Sequence, residues 1–367
     1  SIDVSLRNAS GQDGYGNTDT YDSIENVIGT TSNDTIEGNV SDNTLDGGDG
    51  IDTLTYKNAT AGVSVDLSLT VNNTGNDGVD TISNFENLEG SDLTDNLSGD
   101  DNKNTITGLK GNDVIDGKGG NDELYGGTGN DTFKVSLGDG NDIIDGFELD
   151  GSSNTQTDLD DASNKDTVDY SAITGSNHVE VDLTNTSSAN GIVTDGTTTN
   201  QSDTLRNIEN IIGTDNDDIL IGNDESNKLE GKAGNDQITG NAGADELDGG
   251  TGDDIFKGNT FTGDVIDGGT GSEINGDTVD YSNVSSSVKV NLEENGANTD
   301  VQVGTDTTDH TIANIENITG SSTASDELTG NSSVNTIKGL GGNDIIDGAD
   351  GDDVLDGGAG NNTVAFT

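Results

Sequence analysis

Residues 108–134 read GLKGNDVID, GKGGNDELY, GGTGNDTFK, three lines of nine with aspartate sixth and one apolar residue eighth. The aspartates are Asp113, Asp122 and Asp131. In a chain that coils regularly, a carboxylate repeated at a fixed interval is stacked on its own copies. Like charges at about 4.8 Å, the spacing of neighbouring strands, repel by roughly 3–4 kcal/mol at an effective dielectric near 20. A sequence that repeats this arrangement needs a partner between the charges. Carboxylates and turn carbonyls together make an oxygen-only cage of loose geometry, which suits Ca²⁺ better than Mg²⁺. Bound between stacked turns, such ions turn repulsion into ligation, and their binding free energy becomes folding free energy.

The nine-residue line recurs in four clusters, starting at Gly29, Gly90, Gly213 and Ser321. The sixth-place aspartates that fit the pattern fully are Asp52, Asp113, Asp122, Asp131, Asp236, Asp245, Asp254, Asp344 and Asp353. Asp34, Asp95, Asp142, Asp218 and Asp326 stand in less regular lines, and Asn362 replaces the carboxylate in the last one. The second line of every cluster has asparagine sixth, at Asn43, Asn104, Asn227 and Asn335, and the first lines lack the turn glycines. The first coil of each cluster is therefore expected to be a metal-poor cap, with the asparagine amides forming internal hydrogen bonds. Pairing each line with the next but one suggests on the order of 4–10 ions in all.

Other chemistries find little footing. The two histidines, His178 and His310, lack a H-E-x-x-H context, and no G-x-S-x-G elbow occurs. Both histidines are expected to have a bland surface or strand role. Paired carboxylates could serve a glycosidase, but here their spacing already has an explanation. Asp158, Asp160, Asp161 and Asp166 form a local acidic cluster that reads as a solvated loop.

The elements that would position the aspartates follow from the same nine residues. Glycines first, second and fourth are expected to let the backbone take positive φ and turn tightly. Places seven to nine, with one aliphatic between two outward residues, make a very short strand. Two lines make one flattened coil of eighteen residues, and coils stack as parallel strands. Place eight then points inward: Ile36, Leu45, Leu54, Leu97, Ile106, Ile115, Leu124, Phe133, Leu220, Leu229, Ile238, Leu247, Phe256, Leu328, Ile337, Ile346, Leu355 and Val364.

A longer period overlies the short one. Alternating stretches at Ile2, Val63, Val179 and Val288 precede SIENVIG, NFENLEG, NIENIIG and NIENITG, and the clusters end at Tyr56, Tyr170, Tyr281 and Phe366. The three tyrosines read as packing plugs. We read one supermodule written four times, over residues 1–60, 61–174, 175–285 and 286–367. Segments 7–20, 68–79, 146–165, 184–202, 258–276 and 293–309 read as protruding polar loops.

Composition sets the boundary conditions. Among 367 residues, 71 are acidic and 13 basic, a net charge of −58; 55 are glycine and none is proline, cysteine, methionine or tryptophan. Low hydrophobicity with high charge is a signature of disorder, which the strict periodicity overrides. The acidity argues against nucleic acid or an anionic membrane surface as partner. No apolar run is long enough for membrane insertion. Absent cysteine excludes disulfides and thiolate metal sites. The chain opens at Ser1 without a charged-then-apolar leader, and reads as a mature piece or an excerpt of something larger.

GGDGIDTLT (47–55), GGTGNDTFK (126–134) and GGTGDDIFK (249–257) resemble the RTX, or haemolysin-type, calcium-binding nonapeptide. The resemblance implies an all-β, right-handed parallel β-roll or β-helix solenoid, export by a type I secretion system, and folding outside the cell. It also implies carbonyl ligands from turn residues beside each aspartate: Gly108, Gly111, Gly117, Gly120, Gly126, Gly127 and Gly129; Gly231, Gly234, Gly240, Gly243, Gly249, Gly250 and Gly252; Gly339, Gly342, Gly348, Gly351, Gly357, Gly358 and Gly360. The expected function is a non-catalytic, calcium-dependent segment of a secreted cell-surface protein, such as an adhesin stalk, an S-layer or a matrix filament that self-associates. The alternative is the C-terminal calcium module of an exported protease, lipase or polysaccharide epimerase.

Overall fold

Three-residue strands, each centred on a place-eight residue, dominate the structure, a computed structural model. It describes residues 1–147, 165–184, 189–194, 201–258, 261–292, 299–304 and 310–366. Within the nonapeptide clusters a strand pairs in parallel with the next strand but one, so successive strands fall alternately into different sheets. Thr105–Lys110 pairs with Glu123–Thr128, and Val114–Asp116 with Thr132–Lys134. The register sets equal places opposite each other: Ile106 faces Leu124 and Ile115 faces Phe133. This is an all-β solenoid of stacked coils, as the nine-residue period requires. The single 3₁₀ turn among the described residues is Gly75–Asp77. None of their helices is long and apolar enough to cross a membrane.

The chain forms two compact units, one of residues 1–172 with 201–208 and one of residues 173–200 with 209–367. In the first, one run of parallel strands passes from Thr35–Glu37 through Thr53–Thr55, Asn87–Glu89, Thr105–Lys110, Glu123–Thr128 and Ile143–Asp145 to Gln201–Arg206. In the second, a run passes from His178–Asp182 through Ile219–Ile221, Gln237–Thr239, Ile255–Lys257 and Thr278–Asp280 to Asn317–Thr319. Strands of the longer-period frame thus take their places as ordinary coils among the nonapeptides.

Each unit has its own file of place-eight side chains as its core. Ile36, Leu54, Ile106, Phe133, Leu220, Phe256 and Leu328 are fully buried, and frame residues Leu88, Val168, Leu205, Ile211, Val279 and Ile318 extend the files. Tyr56, Tyr170 and Tyr281 are buried with them. Leu355 is only half-buried and Val364 is 51% exposed, because no coil lies over the last strands.

Several segments expected to be loops contain strands. Val71–Asn73 pairs antiparallel with Val79–Ser83, Ala189–Thr194 with His178–Asp182, and Thr299–Val303 with both Val288–Asn291 and His310–Ala313. Ser10–Gln12 lies between Asp3–Ser5 and Thr18–Thr20, again antiparallel. Val265–Gly269 joins the parallel stack. Their Thr, Val and Asn content hid an alternation too short to count as a strand by itself; pairing with a neighbouring coil supplies the missing hydrogen bonds. Of the segment 146–165, residues 148–164 lie outside the described part.

Removing a ring from the file should be felt in proportion to its burial. Phe256→Ala is expected to cost about 3–5 kcal/mol and Val364→Ala less than about 0.5 kcal/mol, measured as the shift of thermal unfolding at saturating calcium.

Candidate metal centre

Each sixth-place aspartate reaches across to the coil before it. Asp113 Oδ1 accepts the amide of Asp95 (2.8 Å), and the Asp113 amide donates to Asp131 Oδ1 (2.8 Å). The Asp131 amide in turn donates to Asp166 Oδ1 (2.7 Å). Parallel ladders run from Asn104 through Asp122 and Asp142 to Asp203, from Asp218 through Asp236 and Asp254 to Asp277, and from Asp326 through Asp344 to Asn362. Asp34 donates to Asp52, Asn227 to Asp245, Asp245 to Asp264, and Asn335 to Asp353. The expected ligands are thus all ladder members, brought together in register.

The second carboxylate oxygen divides the turns into two kinds. In Asp52, Asp113, Asp122, Asp236, Asp254 and Asp344 it is buried and receives no hydrogen bond. In the first lines it is satisfied within its own turn: Asp95 Oδ2 accepts the Ser91 amide (2.5 Å), Asp218 Oδ2 the Thr214 amide (2.6 Å) and Asp326 Oδ2 the Ser321 amide (2.7 Å). Asn104, Asn227 and Asn335 accept the amides of Asp100, Asn223 and Asn331 in the same way. Their Nδ2 groups donate to the carbonyls of Glu86, Glu209 and Glu316, at 2.9, 2.8 and 2.7 Å. Aspartate could not make that bond, because an ionised carboxylate has no donor.

The second residue of the line goes with the difference. In the open turns it has positive φ, whether glycine (Gly48, Gly250) or not: Leu109 at 80°, Lys118 at 61°, Lys232 at 79° and Leu340 at 64°. In the closed turns second-place Thr30, Ser91 and Thr214 do not, nor does Ser321, which stands first in its line, and their amides face the carboxylate. A side chain in the left-handed region costs of order 1 kcal/mol, so the open turn is held against local preference.

The glycines have distinct tasks. Fourth-place Gly111, Gly120, Gly129, Gly234, Gly243, Gly252, Gly342, Gly351 and Gly360 have φ between 123° and 144°, and second-place Gly127, Gly250 and Gly358 are also positive. First-place glycines are not, contrary to expectation. Gly108, Gly117, Gly126, Gly231, Gly240, Gly249, Gly339, Gly348 and Gly357 are needed for space instead, since the sixth-place side chain of the same line lies over each Cα. A Cβ on Gly339 would stand 2.5 Å from Asp344 Oδ2 and 3.1 Å from Gly357 O, the carbonyl one coil on. The Gly108, Gly231 and Gly249 positions are crowded in the same way, by the carbonyls of Gly126, Gly249 and Gly268.

An undonated carboxylate oxygen beside a neighbouring coil's carbonyl, in a space that excludes even a methyl group, is a cradle for an oxygen-loving cation. The donor set is carboxylate and carbonyl throughout, so it fits Ca²⁺. The residues that would hold the ions are the open-turn aspartates, with carbonyls of the turns stacked on them.

The electrostatics agree. Burial, with the charges of Asp131 and Asp95 adding to it, pushes Asp113 up to about 8 even though the Asp95 amide opposes the shift. Burial likewise raises Asp122 to about 7, Asp236 to about 8 and Asp254 to about 6, with neighbouring carboxylates contributing.

Sequence reasoning missed part of the ladder. Asp80 takes the amide of Asn43 (2.9 Å), and Asp203, Asp264 and Asp277 accept from the coils before them. Asp166, read as part of a solvated loop, is buried in the first unit's ladder; Asp158, Asp160 and Asp161 lie outside the described residues. Each of these aspartates precedes a threonine or valine and then a buried aliphatic, the tail of the nonapeptide, without its glycines except at Asp277, where four inserted residues separate them from it, and that signal could have found them. His310 is buried, with Nε2 2.8 Å from Tyr281 Oη and its ring stacked on Phe261, so its role is internal packing. His178 opens the strand His178–Asp182.

The model of the RTX calcium-binding nonapeptide repeat (4 copies) matches residues 19–54, 90–133, 207–238, 221–256 and 329–364. The chain carries RTX calcium-binding nonapeptide repeats. Its repeats bind Ca²⁺, several ions along the chain. No curated protein sequence matches it.

Protons compete with calcium for this RTX ladder. The raised aspartates hold protons in the folded state to higher pH than in the unfolded one, where they titrate near 3.8. Without calcium, the stability they confer is therefore complete below about pH 4 and is lost as pH rises through about 6–8. In excess chelator, β structure absent at pH 8 is expected to return on acidification toward pH 4–5, followed by circular dichroism.

Proposed function

We propose that this RTX chain is a calcium-set structural segment of a secreted cell-surface protein, of the adhesin-stalk, S-layer or matrix-filament kind. The observation that carries the reading is the continuity of the aspartate ladder through the frame. The Asp131 amide passes to Asp166, that of Asp142 to Asp203 and that of Asp254 to Asp277, so within each unit frame and nonapeptides coil as one body. Such a body transmits load along its stack instead of unfolding at joints between repeats. Export by a type I system fits a chain that stays unfolded until it meets calcium outside the cell. The four supermodules, bounded near 60, 174 and 285, are the units of repetition in this reading, and the role is mechanical and not catalytic.

Stretching single molecules tests it. In calcium, unfolding is expected in discrete events at forces several-fold above those in chelator, where the chain should extend as a featureless entropic spring. Identical force–extension curves in the two conditions would contradict a calcium-dependent mechanical role.

A further inference from the structure

We propose that Glu273, Asp277 and Glu316 form an additional Ca²⁺ site, built on a nonapeptide turn that an insertion has enlarged. Residues 268–280 read GGTGSEINGDTVD, a nonapeptide with the four residues EING inserted before its sixth place. The insertion delivers Glu273 to the carboxylate of Asp277, and the frame delivers Glu316 from the following coil. One carboxylate oxygen from each residue lies within 4.8 Å of the other two. Opposite ligands of one Ca²⁺ stand up to about 5 Å apart, whereas those of Mg²⁺ stand only about 4 Å apart.

Asp277 is the anchor. It is fully buried; its Oδ1 accepts the Asp254 amide (2.7 Å), and its Oδ2 receives no hydrogen bond. Glu316 Oε2 accepts the Asp277 amide (2.9 Å), which fixes the glutamate against the aspartate. Glu273 is exposed and opens the cluster to solvent. None of the ion pairs among the described residues gives any of the three a basic partner.

The insertion is built to hold its place. Asp253 Oδ1 accepts the amides of Ile274 (2.8 Å), Asn275 (3.0 Å) and Gly276 (3.0 Å), and Oδ2 accepts Asn275 Nδ2 (2.8 Å). From the frame, Asn317 Nδ2 donates to the carbonyls of Asn275 (2.9 Å) and Gly276 (3.0 Å). Glu273 Oε1 accepts the Gly271 amide (3.0 Å). Three carboxylates are thus fixed together by bonds that leave their mutual repulsion unanswered. Burial pushes Asp277 up to about 9 and raises Glu316 too, and the charge of Glu273 adds to both. An all-carboxylate donor set without histidine or cysteine selects a hard cation.

The test is a count of bound ions on the full chain, by metal analysis after dialysis against saturating Ca²⁺, with an accompanying calcium titration. Glu273 is exposed and outside the aspartate ladder, so E273Q tests the site without threatening the fold; E180Q, on the outer face of a strand, is the control. E273Q is expected to lose one ion per chain, or to weaken one binding step at least tenfold, with an unchanged circular dichroism spectrum. E273Q/E316Q is expected to lose the ion outright. A count and titration for E273Q that match the parent would overturn the proposal, including the case in which the cluster holds protons instead of calcium, while leaving the nonapeptide ions in place.

Discussion

A buried carboxylate that gives one oxygen to a neighbouring coil and keeps the other without a donor is the constraint on which the rest depends. The first oxygen fixes the register of adjacent coils, as when Asp113 takes the Asp95 amide and Asp236 that of Asp218. The second leaves a buried negative charge that the protein itself does not answer. Burying a charge without a partner costs far more than one hydrogen bond returns. The ladder is therefore a good stacking device only when a cation or a proton completes it. Order along the stack and calcium binding are two descriptions of the same interaction.

The closed turns show the same geometry with the debt settled internally. At Asp95 and Asp218 a serine or threonine second in the line, and at Asp326 the serine that opens the line, turns its amide onto the carboxylate, and at Asn104, Asn227 and Asn335 the side chain is already neutral. These turns sit at the start of each cluster, where one side adjoins the frame and not another glycine-rich turn. Changing the second residue to a left-handed conformation opens the turn. Leu109 and Lys232 show that glycine is not required for it, although glycine makes it cheaper.

Much of this was legible in the residues. Aspartate at every ninth place, with one aliphatic two places on, suffices for coil length, for the inward-facing residues of each unit, such as Ile36 and Ile346, and for the pairing of each line with the next but one. Two things were not legible. The task of the first-place glycines depends on a contact with the sixth-place side chain, and spacing alone does not distinguish a need for room from a need for positive φ. The ladder members Asp80, Asp166, Asp203 and Asp264 lack the glycine turn before them, and the turn before Asp277 is interrupted by four inserted residues, so a search keyed on the unbroken glycine pattern passes them by, although their Asp-Thr/Val-aliphatic tails do the same work. The antiparallel strands, such as Thr299–Val303, are stabilised by neighbours distant in sequence, which no local pattern announces.

The most direct measurement is the β signal of the chain near pH 7.5 as calcium is withdrawn by a chelator, read by far-ultraviolet circular dichroism. The account expects the β spectrum to collapse cooperatively toward that of an unfolded chain and to return in full when calcium is restored. A β spectrum that persists unchanged in excess chelator at that pH would contradict it, because the stacked carboxylates would then be stable with neither ion nor proton between them.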